Sequence, residues 1–292
     1  MGETTGIEWT DATWQVTTGC SKVSPGCDHC YALTMSNRLQ AMDTPAYRGL
    51  VVEKSKPLAW TGEVRCLPER LDDPLLWRTP RRVFVNSMSD LFHPAVPFDF
   101  VVKVFDVMAA AHWHTFQVLT KRPGRMAFFA KHVWPKRGGR WEPVDGGVKA
   151  VWPGTAWPSN VWAGTSVESA KYLPRLAVLA RVPAKVRFVS AEPLLSFVDL
   201  RPWLYPEQEL EAPFGYRDVA PPPISWVICG AESGPGARPM DIEWARQIKN
   251  DCVAAGTPFF LKQFAQKGRK IPMPELDGQV WAQFPEAVKH GD

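Results

Sequence analysis

Short apolar runs alternate with amphipathic segments along the chain. Arg82-Val83-Phe84-Val85-Asn86-Ser87 has the length and β-branched content of a buried strand, and residues 98–111 follow with apolar side chains at helical spacing. The pair then recurs. A strand over 115–120 precedes a helix over 124–133, 161–165 precedes 169–181, 186–190 precedes a shorter, proline-interrupted helix near 197–204, and 224–229 precedes 241–255. A strand at 258–262 closes the series, and one at 14–18 opens it before a helix over 31–42. Alternation of this kind predicts parallel pairing through right-handed crossovers, hence an α/β fold: a partial, open TIM-type barrel of about six or seven βα units, with a flat doubly wound sheet as the alternative.

The polar positions favour the barrel, because nearly every predicted strand ends in a reactive cluster. These are Asn86-Ser87-Met88-Ser89-Asp90, Thr120-Lys121-Arg122, Thr165-Ser166-Val167-Glu168-Ser169, Ser190-Ala191-Glu192-Pro193, Gly230-Ala231-Glu232-Ser233 and Lys262-Gln263. Taken singly, each has a plain reading as a helix cap or turn. Six together point to the carboxyl-end face where parallel α/β folds bind their ligands. Lys121 and Lys262 end apolar strands and call for a polar cavity to receive them. The run from Gly230 to Pro239 reads either as a loop approaching a ligand, with Arg238 meeting an anion, or as a tight connection into the next helix.

Composition narrows the class. The 292 residues, 45% apolar, suffice for one barrel-sized domain, and the organisation expected is a barrel over 1–265 with a C-terminal extension over 266–292 packed on it. The 28 prolines and 14 tryptophans crowd connecting stretches such as 134–158, where they pin loops to the body. A formal charge of +4, from 34 basic and 30 acidic residues, permits an anionic substrate without announcing nucleic acid. No apolar run approaches a membrane span of about 20 residues, and the polar start Met1-Gly2-Glu3-Thr4-Thr5 carries no signal segment, so a soluble, cytoplasmic protein with reduced thiols is expected.

Three of the six cysteines stand out. Cys20, Cys27 and Cys30 are spaced C-x6-C-x2-C on a loop containing Gly19, Pro25 and Gly26, and that loop follows the first strand onto the same face as the polar clusters. Three thiolates hold three corners of a 4Fe-4S cubane and leave the fourth iron open, whereas a closed structural zinc site wants four donors. Zinc is the rival, with His29 or Cys66 as a fourth ligand, and the plain alternative is that all three are ordinary buried thiols. Cys229 and Cys252 read as ordinary buried thiols.

These residues carry a family resemblance. The cysteine loop, the opening Gly6-Ile7-Glu8-Trp9-Thr10-Asp11-Ala12-Thr13-Trp14, and the later Asn86-Ser87-Met88-Ser89-Asp90-Leu91-Phe92-His93, Leu119-Thr120-Lys121-Arg122-Pro123 and Ala191-Glu192-Pro193-Leu194-Leu195 resemble a phage-associated family over residues 6–281. That family looks like a branch of the radical S-adenosylmethionine superfamily, close to the spore photoproduct lyase group. One departure is plain: superfamily members mostly space the triplet C-x3-C-x2-C with an aromatic before the last cysteine, whereas here the first gap is six and His29 holds that place.

The resemblance implies a 4Fe-4S cluster on Cys20, Cys27 and Cys30 that reductively cleaves S-adenosylmethionine to a 5'-deoxyadenosyl radical, which abstracts hydrogen from substrate. It implies Ser89 and Asp90 at the methionine amino group, Lys121 at its carboxylate, and Ser166 and Glu168 at the ribose hydroxyls. Glu192, Glu232, Arg238, Lys262 and Gln263 would face substrate. By the same kinship the substrate is a nucleic-acid base or nucleotide, repaired (as by a lyase) or modified, with electrons from a reductant protein such as a flavodoxin or ferredoxin. Two alternatives stand beside this: the same chemistry on a small metabolite or peptide, and a non-catalytic, zinc-stabilised nucleic-acid binding protein using its tryptophans to stack bases.

Overall fold

A computed structural model of the chain describes residues 5–52, 56–137, 140–144, 147–151, 156–205, 223–234, 236–266 and 269–286. Eight strands form one curled sheet: β1 (Ala12–Trp14), β2 (Arg82–Val85), β3 (Thr115–Thr120), β4 (Val161–Ser166), β5 (Arg187–Ala191), β6 (Trp226–Gly230), β7 (Phe259–Gln266) and β8 (Arg269–Pro272). They neighbour one another in chain order, β1 to β7 all parallel and β8 antiparallel to β7. This is the expected open, partial TIM-type barrel. The longer helices are α1 (Tyr31–Ala41), α2 (Phe98–Ala110), α3 (Pro123–Phe128), α4 (Pro174–Leu179) and α5 (Ile242–Ala255).

Strand periodicity divides the core in two. Side chains alternate across a strand, so Val83 and Val85 join the large outer core while Phe84 between them points into the barrel. The same alternation sends Trp162, Phe188, Trp226, Ile228 and Phe260 inward, where Trp9 from the segment ahead of β1 joins them. The Trp9 ring lies 4.6 Å from Phe84 and 6.1 Å from Trp226. This aromatic plug fills the barrel below the strand ends that carry the polar clusters. Residues 281–284 cover it from the opposite side: Trp226 Nε1 donates to the Gln283 carbonyl at 2.9 Å, and Phe284 lies 5.4 Å from the Trp226 ring. On the outer face, α2 buries Phe100, Val101, Val104, Phe105 and Met108 at helical spacing. Phe105 there meets Trp134 and Trp157, which anchor both ends of the proline-rich stretch. Residues 138–139, 145–146 and 152–155 of that stretch lie outside the described residues.

Gly164 shows how tightly the interior is packed. A Cβ built there would lie 2.3 Å from the Phe188 ring. Gly164→Ala is therefore expected to destabilise the fold by about 1–3 kcal/mol through overpacking, read as a lower midpoint in chemical denaturation.

Element ends differ from the sequence expectation for local reasons. The first strand ends at Trp14 because the Asn86 side chain, on a residue with φ +60, accepts from the Val16 and Thr17 N–H groups at 2.9 and 3.2 Å, drawing the chain out of the sheet. Thr17–Thr18 then pairs with Arg65–Cys66. The helix expected over 124–133 ends as α-helix at Phe128 and continues as a wider π turn. Strand β8 was not anticipated, nor was the hairpin of 140–144 with 147–151.

His114 adds a pH dependence far from the strand-end face. Its Nδ1 accepts from the Arg81 N–H at 3.1 Å, so its Nε2 carries the proton and donates to the Pro74 carbonyl at 3.1 Å. Burial lowers its pKa below the ordinary 6.5. The unfolded chain thus takes up this proton first as pH falls, and the stability held by neutral His114 is full above about 6.5 and lost below it. Urea denaturation at pH 7.5 and 5.5 should show this loss, and His114→Gln should flatten it.

Candidate functional site

A cavity of about 370 Å³ opens at the carboxyl ends of the parallel strands. Cys20, Cys27 and Cys30 line it, together with Ser89, Asp90, Lys121, Ser166, Glu192, Glu232, Lys262 and Gln263. Glu168 and Arg238, the other two candidates, sit behind the cysteine loop. Cys229 and Cys252 lie elsewhere, in the outer core.

The loop bearing the thiols is held from three sides. From β3, Arg122 donates through Nη2 to the Ser21 carbonyl and hydroxyl, both at 2.9 Å, while its Nη1 reaches Asp90 Oδ2 at 2.7 Å and stands 4.0 Å from Cys20 Sγ. His93 supports the same hydroxyl. Its Nδ1 accepts from the Ala95 N–H at 3.1 Å, so the Nε2 proton faces Ser21 Oγ at 2.8 Å. From β6, Arg238 donates to the Pro25 carbonyl at 2.8 Å and lies 3.7 Å from Asp28, while Glu232 grips its backbone N–H and Nε at 3.0 and 2.9 Å. From β4, Glu168 presses against Gly26, where an added Cβ would come within 3.2 Å of its carboxyl carbon. A side chain at residue 26 would require Glu168 to shift by a few tenths of an ångström.

Several candidates therefore have structural work. Asp90 Oδ1 accepts from Thr120 Oγ1 at 2.7 Å and from the Phe92 N–H at 2.9 Å, while Oδ2 holds Arg122. The Ser89 hydroxyl lies 2.7 Å from Gln15 Nε2 and donates to the Thr17 carbonyl at 2.8 Å. Gln263 donates to the Ala231 carbonyl at 2.6 Å. Glu192 pairs with Lys262 at 3.2 Å and accepts from Ser190 at 3.2 Å. Glu168 Oε2 takes Arg175 at 2.8 Å, but its Oε1 is buried without a partner.

Lys121 differs from its neighbours. Among the described residues it alone of the lysines and arginines lining the cavity has no carboxylate at ion-pair distance; its Nζ meets only Ser166 Oγ, at 3.3 Å. Burial pushes the Cys20 thiol up to about 11, aided by Asp90 and opposed by Arg122. Burial raises Cys30 as well, with Lys121 among the opposing influences. All three thiols line this cavity, and among the described residues no group of three His, Cys, Asp or Glu side chains is placed to hold a metal ion.

Arg122, His93, Arg175 and the pair Glu8–Lys270 (2.6 Å) were not singled out from sequence. Arg122 belongs to the strand-end cluster Thr120-Lys121-Arg122 and His93 to the segment from Asn86 to His93, so their positions are visible in the sequence, but their partners lie in distant segments.

Residues 4–285 match the family described as a protein of unknown function, DUF5131. The chain belongs to that family. No curated protein matches it. Among solved structures, a spore photoproduct lyase with a cysteine-to-serine substitution is 11% identical, with a TM-score of 0.43, and the match covers 84% of this chain and 73% of that one. Another spore photoproduct lyase, with bound AdoMet and dinucleoside spore photoproduct, is 14% identical at a TM-score of 0.39, covering 88% of this chain and 65% of that one. Among the described residues of this DUF5131 member, no helix is long and apolar enough to cross a membrane.

Proposed function

We propose that this DUF5131 protein is a radical S-adenosylmethionine enzyme. The observation that carries the reading is the placement of three thiols from one loop, and the unpaired ammonium of Lys121, on a single cavity at the carboxyl ends of parallel strands. Three thiolates leave one iron of a cubane open to a small molecule, whereas a closed structural zinc site wants a fourth protein donor. With Cys20, Cys27 and Cys30 as ligands, a 4Fe-4S cluster and S-adenosylmethionine would supply a 5'-deoxyadenosyl radical through one-electron cleavage of the sulfonium.

The chain's own residues would bind and orient. Lys121 offers the charge for the methionine carboxylate. Ser89 and Asp90 stand on the β2 side for the amino group, which would share Asp90 with Arg122. Ser166 and the unpartnered Oε1 of Glu168 are acceptors for ribose hydroxyls. The deep aromatic floor excludes water from a reactive intermediate. Glu192, Glu232, Lys262 and Gln263 bound the side left for substrate, while Arg238 holds the loop. We assign the substrate to nucleic-acid bases or nucleotides on kinship to the spore photoproduct lyase group within a phage-associated branch. The barrel over 1–265 and its extension over 266–292 would work in the cytoplasm with a flavodoxin- or ferredoxin-like reductant.

Anaerobic reconstitution with iron and sulfide, then dithionite and S-adenosylmethionine, is expected to give brown protein and 5'-deoxyadenosine. Colourless protein with tightly held zinc and no such product would instead favour the non-catalytic alternative.

A further inference from the structure

Three features at the ends of β5, β6 and β7 converge on one ion pair. Side chains alternate along β7, with Phe259 and Leu261 in the outer core and Phe260 in the barrel, so Lys262 points inward. Cys229 pairs with Leu261 but Gly230 with Gln263, a β-bulge in which Lys262 is the extra residue. The bulge brings both Lys262 and Gln263 onto the cavity wall, the kind of re-aiming such bulges supply beside active sites. From β5, on the far side of β6, Glu192 reaches Lys262 at 3.2 Å. Position 230 makes this crossing possible: a Cβ there would stand 2.8 Å from Glu192 Oε1. Both side chains line the cavity and are 20% and 12% exposed, so a ligand can touch them.

The two charges cancel. A phosphate or carboxylate drawn to Lys262 meets Glu192 beside it and gains no net attraction. Hydrogen-bonding capacity remains, however. Among the described residues, the contacts to Lys262 and Ser190 occupy one N–H of the ammonium and one lone pair on each carboxylate oxygen. The cavity is thus left with an N–H donor next to a charged acceptor, which is the complement of an amide edge.

We propose that Glu192 and Lys262 act together as the specificity-determining contact of the cavity. They take an uncharged substrate group that carries an N–H beside a carbonyl, the N–H donating to Glu192 and the carbonyl accepting from Lys262, and they turn away anions. The inference rests on the cavity being the active site of the proposed function and adds which residues read the substrate and what they accept.

The test measures equilibrium binding to the anaerobically reconstituted protein without reductant, so it does not depend on cofactor cleavage. The probes are uridine, inosine and nicotinamide, each with an N–H beside a carbonyl, and their counterparts 3-methyluridine, 1-methylinosine and nicotinate, which lack that N–H. At least one of the first three is expected to bind, with its counterpart about tenfold weaker or worse. Inorganic phosphate should not compete with it. Gly230→Ala should weaken binding several-fold at an unchanged denaturation midpoint, because the added methyl displaces only the flexible end of Glu192. Glu192→Gln should weaken it too, and should let phosphate compete, because Lys262 is left uncompensated. The parent protein alone decides the matter if a variant misfolds. Competition by phosphate in the parent, equal binding of probe and counterpart, or no binding of any of the three would overturn the proposal. So would unchanged binding in either variant, or displacement of the probe by S-adenosylmethionine, which would give the pair to the cofactor. Binding of nicotinamide alone would uphold the pair and count against the nucleic-acid base as substrate. Failure to form 5'-deoxyadenosine with these binding results intact would count against the radical mechanism alone.

Discussion

Cys27→Ala is expected to remove the brown colour, the bound iron and sulfide, and all formation of 5'-deoxyadenosine, while leaving the fold in place. The expectation combines ligand number with position. Two thiolates do not hold a cubane that three were arranged to hold, and the cluster is the source of the chemistry. Cys27 ends a short turn, Pro25–Cys27, stabilised by its N–H donating to the Ser24 carbonyl at 2.9 Å, a bond alanine also makes. Its side chain is only half-buried and lies outside the hydrophobic core. The metal-free variant should therefore unfold at nearly the same denaturant concentration as the metal-free parent. Cys229→Ala is the contrasting control. That thiol is fully buried in the outer core, so its loss should lower stability while cluster content and product persist. Equal loss of iron in both variants would mean that the cluster ligands have been misassigned.

The barrel was legible because parallel strands buried on both faces write themselves as continuous apolar runs, and β2 to β7 each contain one. The inner plug was legible only in part. Phe84 and Phe188 look like any strand residues until the sheet curls and brings Trp9 and Trp226 between them. At the site, residue type and strand-end position brought the thiols and most polar candidates to one cavity, but pairing was beyond reach. Arg238 looked like an anion receptor because its partners are six residues away at Glu232 and 213 away at Pro25, and neither distance can be read from the glycine-rich run between 230 and 239. Pro235 in that run lies outside the described residues. Glu8 likewise faces a lysine from the opposite end of the chain, on a strand no apolar run announced.

Arg122→Gln is expected to cost about 3–5 kcal/mol of stability and to lower iron incorporation sharply, although Arg122 is no ligand. The side chains of Arg122 and Asp90 are 11% and 8% exposed, so the pair is effectively buried, and removing one partner leaves an uncompensated charge at a cost of about that size. The same guanidinium bridges to Ser21, next to Cys20, so its loss frees the cysteine loop from the end of β3 as well. Arg122→Lys keeps the charge but not the fork that spans Asp90 and Ser21 together, and should fall between parent and Gln in both stability and iron content. Combining Arg122→Gln with Asp90→Asn separates the two contributions. The double variant should recover part of the stability, because the buried carboxylate is gone, but none of the iron, because the loop remains unheld. Recovery of iron along with stability would show that charge compensation alone, and not the bridge to Ser21, prepares the thiols for their cluster.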